Sequence, residues 1–79
     1  MRSIRKGRIL VYLMAGDRPT RIQLMSGTGN KAEVRAYLMM NGEDAETFAG
    51  KMVQVDGRDF WVENEKVPVT VPKEIKVVE

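Results

Sequence analysis

Apolar and polar residues alternate along most of this chain, and the alternation predicts strands. The first such run extends from Ile4 to Met14 and carries Gly7 inside it. A lone glycine in a strand pattern marks a bulge or a sharp bend. Ala15-Gly16-Asp17-Arg18-Pro19 then supplies turn chemistry. The second run is Thr20 to Ser26, with Ile22 and Leu24 on one side and Arg21, Gln23 and Met25 on the other. Gly27-Thr28-Gly29-Asn30-Lys31 forms a hairpin loop, and a third run follows from Ala32 to Met40. Its inner set is Ala32, Val34, Ala36, Leu38 and Met40, and its outer set is Glu33, Arg35, Tyr37 and Met39.

After Asn41-Gly42 the period changes. Glu43 to Ala49 predicts a short helix with an acidic first turn, Asp44 as its N-cap and Gly50 as its stop. Ala45, Phe48 and Ala49 share one face, so Phe48 is expected to plug a core. Strand character resumes at Lys51 to Asp56, passes Gly57, and continues from Arg58 to Glu63. In this stretch Phe60 and Val62 are expected inward, and Asp59, Trp61 and Glu63 outward. After a turn at Asn64 to Lys66, Val67 to Val71 and Ile75 to Val78 form the last strand region. Pro68 and Pro72 lack backbone donors, which puts this region at an edge.

This order predicts an all-β domain spanning residues 1–79: a small five-stranded Greek-key barrel, with one short helix between strands three and four capping its open end. Gly50-Lys51-Met52-Val53-Gln54-Val55-Asp56-Gly57 has the form G-K-x-V-x-V-x-G. That stretch resembles the fourth strand of single-stranded-nucleic-acid-binding proteins of the OB-fold superfamily. The resemblance in element order covers nearly the whole chain. It implies ligand binding on strands two and three and the nearby loops. An SH3-like barrel is the alternative fold, and the helix before strand four argues against it.

Composition narrows the function. With 79 residues, nearly every apolar side chain is needed for the core. The chain has no Cys and no His, which argues against a disulfide scaffold, a Cys/His zinc site and His- or Cys-based catalysis. The basic start followed by Ile9 to Ala15 imitates a signal peptide, but the run is short and ends in turn residues. An intracellular or intravirion location is expected, with no membrane partner. The net charge of +2 conceals a split. Residues 1–40 carry eight basic groups and two acids, giving +6; residues 41–79 carry five and nine, giving −4. One reading is an electrostatic footprint for phosphates, and the other is that oppositely charged strands pair across the sheet.

The chemistry available points to binding, with no catalytic residue, metal or cofactor. Asp56 and Asp59, and the group Glu43, Asp44 and Glu46, are carboxylates that turn and helix positions already explain. Gly27 to Lys31 lacks the Gly-Lys-Ser/Thr ending of a phosphate-binding loop. The outward face is more informative. Arg21, Gln23 and Met25 stand beside Arg35, Tyr37 and Met39, with Arg8 and Lys31 as further cations. Arginines contact phosphates, and a tyrosine ring offers a base a stacking platform. An outward Trp61 is a further contact candidate, although Asp59 and Glu63 beside it suit a protein partner equally well. The plainer alternative is that Tyr37 only covers the barrel and that Met25 and Met39 form a small second core. The expected function is therefore a binding module for single-stranded DNA or RNA. The alternative is a protein-interaction module, either a homo-oligomer or a subunit of a larger, phage-type assembly.

Overall fold

The alternating runs become five strands that close on one another. A computed structural model of the chain describes residues 1–78. The strands are β1 (Arg2–Val11), β2 (Ile22–Ser26), β3 (Glu33–Leu38), β4 (Met52–Phe60) and β5 (Val69–Val77), with helix α1 (Gly42–Phe48) between β3 and β4. They form a closed barrel in the order β1-β2-β3-β5-β4. Every neighbouring pair is antiparallel except β3 and β5, which run parallel and are joined only at Tyr37–Val69 and Leu38–Thr70. The fold is thus an all-β barrel with one short helix between strands three and four. No helix is long and apolar enough to cross a membrane among the described residues.

Gly7 lies where β1 changes its partner strand. Residues 2–8 pair with β4, and residues 8–11 pair with β2. At the changeover the backbones approach so closely that a Cβ on Gly7 would run into the Met25 carbonyl and lie 3.1 Å from Leu24 Cγ. The bend expected at this glycine is therefore a close approach of chains. The strand starts at Arg2 and ends at Val11, and Leu13 and Met14 belong to the β1–β2 loop.

Ile9, Ile22, Leu24, Leu38, Val53 and Val55 fill the interior together with Ala36 and Ala45. Phe48 packs against this core from α1 and stays half-buried. The helix cap is Asn41, not Asp44: its side chain accepts from the Glu43 N–H at 2.7 Å. The helix ends before Gly50, whose φ of 78° turns the chain into β4 while its N–H donates to the Ile9 carbonyl at 2.9 Å.

Two expectations about which side chains face the core are corrected. Phe60 points outward and Asp59 inward. The alternation in β4 runs unbroken through buried Val53, Val55, Gly57 and Asp59. The irregularity between Asp56 and Gly57 lies on the partner strand, where Glu74 and Pro72 are the successive partners and Lys73 has none. That bulge also lets β5 continue through Pro72 as one strand. The second correction is Gln23, which is only 4% exposed. It lies between Leu10 and Tyr37 in the sheet register.

Candidate functional site

The outer face of β1, β2 and β3 is where the sequence places its cations and its tyrosine. Sheet register sets the layout. Leu10, Gln23 and Tyr37 make one row across the three strands, and Arg8 stands opposite Met25 in the next. The β2–β3 ladder is irregular there: Leu24 pairs with Ala36 and Met25 with Val34. Arg35 is left over as a bulge residue and stays exposed. Its Nε donates to Ser26 Oγ at 2.7 Å, and its Nη2 lies 3.9 Å from the exposed Glu33 carboxylate. Arg8 donates to the Gly50 carbonyl at 2.7 Å.

Arg35 borders a shallow cleft of about 270 Å³ together with Arg5 and Lys6. Lys6 lies two residues before Arg8 on the same outward face of β1, so the alternation that singled out Arg8 also points to Lys6. Tyr37 is half-buried and lines a neighbouring hollow with Asn64, Glu65, Lys66 and Val67 of the β4–β5 loop. Lys31 is exposed on a single 3-10 turn, Gly29–Lys31, between β2 and β3.

The other candidates are placed elsewhere. Arg21 does not lie open on this face. Its Nη1 donates to the Tyr12 carbonyl at 2.9 Å, and its guanidinium packs on Gly42 at the start of α1. Trp61 stands exposed just past the end of β4 and lines neither hollow. Gln23 shares the face but is buried within it.

Part of the +6 charge of the first half is structural. Arg2 on β1 binds Asp56 on β4 through two hydrogen bonds, of 3.1 and 2.8 Å. Arg5 reaches Asp59 at 2.8 Å through Nη1 and 2.7 Å through Nη2. Asp59 also accepts from Ser3 Oγ at 2.8 Å and Thr70 Oγ1 at 2.7 Å. The Arg5 guanidinium, followed by the Thr70 and Ser3 hydroxyls, holds the Asp59 carboxyl down to about 2, against the opposing effect of its burial. Asp56 and Asp59 are therefore each held by an arginine of β1. Sequence reading missed this cluster because it took Phe60 as the inward residue; parity counted from Val53 and Val55 finds Asp59 instead.

The exposed cations of this face are Lys6, Arg35 and Arg8, with Lys31 in the adjoining loop and the half-buried Tyr37 on β3. In comparisons with known proteins the chain matches no family model, no curated protein and no solved structure.

Proposed function

We propose that this barrel is an OB-type module that binds single-stranded nucleic acid across the outer face of β1, β2 and β3. The strand order with β3 and β5 parallel, and the helix before β4, support the OB reading over an SH3-like one. The observation that carries the function is the cleft shared by Arg5, Lys6 and Arg35 on the side where Tyr37 offers its ring. Asp59 neutralises Arg5, so Lys6 and Arg35 hold the phosphates, with Arg8 and Lys31 extending the track. Tyr37 supplies a stacking surface for a base. Glu33 and Glu65 flank this path and limit how negative a ligand it tolerates. The alternative, an assembly module, rests on a different surface, around Pro19 and Phe60.

Fluorescence anisotropy with labelled single strands of DNA and RNA tests the proposal. Four phosphate contacts on a single strand, from Lys6, Arg35, Arg8 and Lys31, give a log–log salt slope of roughly −2.8, so a tenfold rise in salt weakens binding about 600-fold. Lys6→Glu and Arg35→Glu flatten that slope, and Tyr37→Ala weakens binding at every salt concentration. Absence of binding at low salt, or binding indifferent to salt, overturns the proposal.

A further inference from the structure

The loop between β1 and β2 presents Leu13 and Met14 to water, 96% and 75% exposed. The loop is nevertheless tied down. The Arg18 guanidinium lies 3.8 Å from the centre of the Tyr12 ring, and its Nη2 donates to the Met14 carbonyl at 3.1 Å. The Arg18 N–H donates to the Ala15 carbonyl at 3.1 Å, and Arg18 Nε is buried without a hydrogen-bond partner. A half-buried arginine thus holds in place a tip whose Leu13 and Met14 side chains bury little within this chain.

Pro19, from the same loop, opens onto a groove of about 530 Å³. Met39, Phe60, Val62, Val69 and Val71 complete its lining, so the walls carry no charged side chain. Met39, Phe60, Val62 and Val71 are exposed there. The groove exists because β4 keeps its parity to the end: with Asp59 inward, Phe60 is committed to the outside.

One molecule therefore carries an ordered apolar projection and, adjoining it through Pro19, an apolar groove. Such a pair is self-complementary about a two-fold axis, since each copy both inserts and receives. Charge supports a second copy as the occupant. Asp17 stands exposed on the projecting loop, and Arg58 stands exposed beside the groove as the cross-strand partner of Val71. Neither has an ion-pair partner among the described residues, and insertion sets the acid of one loop towards the base beside the other copy's groove. We propose that two copies of this chain associate reciprocally, with Leu13 and Met14 of each seated in the Pro19–Met39–Phe60–Val62–Val71 groove of the other. This surface is separate from the basic face, so the dimer and the nucleic-acid reading stand or fall independently.

Sedimentation velocity from about 1 µM to about 1 mM is the first test, and dimer formation within this range is expected. Leu13→Asp shifts dissociation to at least tenfold higher concentration. Its far-UV spectrum stays that of the parent, and so does its melting temperature at concentrations where the parent is monomeric, because Leu13 is 96% exposed within one chain. The chain has no Cys, which makes a second test clean. Met14→Cys protein mixed with Met39→Cys protein and mildly oxidised should yield a disulfide-linked heterodimer. A monomer at every concentration overturns the proposal and leaves the groove to a partner of different sequence. A dimer unaffected by Leu13→Asp, or one that gives no mixed cross-link, also overturns it.

Discussion

Asp59→Ala tests the cluster at the end of the barrel where the start of β1, the end of β4 and the start of β5 meet. The substitution removes the acceptor of four hydrogen bonds, two from Arg5 and one each from Ser3 and Thr70. It also leaves the Arg5 guanidinium without its counter-charge. Removing one partner of a buried ion pair costs roughly 3–5 kcal/mol. The Arg5 side chain keeps 27% exposure, so water recovers part of that, and about 3 kcal/mol is expected. The depression of the Asp59 carboxyl from 3.8 to about 2, to which Arg5, Thr70 and Ser3 all contribute, corresponds to about 2 kcal/mol of this, and the cost of burying their donors unpaired is additional. A domain of this size has a total stability of roughly 4–12 kcal/mol, and each kcal/mol moves its melting point by about 4–8 °C. Asp59→Ala should therefore melt about 12–24 °C lower. Urea unfolding followed by far-UV circular dichroism measures the loss, alongside Arg5→Met and the double variant Arg5→Met/Asp59→Ala. The double variant leaves no unpaired charge and should recover at least about 1.5 kcal/mol relative to the sum of the singles. Additivity of the two singles within about 0.5 kcal/mol, or a loss under about 1 kcal/mol for Asp59→Ala, would refute the account.

The same carboxylate sets a pH dependence. Its value in the folded chain lies below its ordinary 3.8, so its stabilising effect is complete at neutral pH, fades as pH falls below about 4 and is gone below about 2. The stability gap between parent and Asp59→Asn, measured by urea titration, should shrink from pH 7 to pH 2; a constant gap contradicts the assignment. Gly7→Ala forces a Cβ against the Met25 carbonyl, which backbone pairing holds in place, and should cost about 2 kcal/mol by urea midpoint. Asn41→Ala removes the side-chain acceptor for the Glu43 N–H and should cost about 1 kcal/mol by the same measurement, with Asn41→Asp recovering most of it.

Local patterning made much of the barrel legible. The alternation and the glycine-rich turns marked all five strand regions, and the change of period after Met40 marked α1. Gly7 marked the place where β1 changes partners, although as a close approach of chains and not as a bulge. What stayed hidden depends on contacts distant in sequence. Asp59 was assigned outward because hydrophobicity was allowed to outrank parity, and nothing local says that Arg5, fifty-four residues away, waits inside for it. Gln23 has a polar side chain at an outward position, and its burial arises only once β1 and β3 flank it with Leu10 and Tyr37 as its register partners. Arg21 has the same period as Gln23, yet its long stem lets it fold back onto the Tyr12 carbonyl. Of the candidate site residues, the sheet register puts Gln23 beside Tyr37 and Arg8 beside Met25, with Arg35 at the irregularity between β2 and β3. Lys6 was missed although the same alternation contains it.

The parallel junction of β3 and β5 has a consequence for how the barrel breathes. If its two residue pairs part, the remaining ladders form an open, wholly antiparallel sheet in the order β3-β2-β1-β4-β5, with every other pairing intact. Closing the ring brings together positions about thirty residues apart across α1 and β4, with only two pairs to hold them. The Tyr37 and Met39 amides, which donate to the Pro68 and Thr70 carbonyls across this seam, are then the natural first amides of the sheet to exchange with solvent. Tyr37 therefore sits on the hinge line as well as on the face proposed to bind nucleic acid, so a ligand that gripped its ring would also report, and restrain, the opening of the barrel.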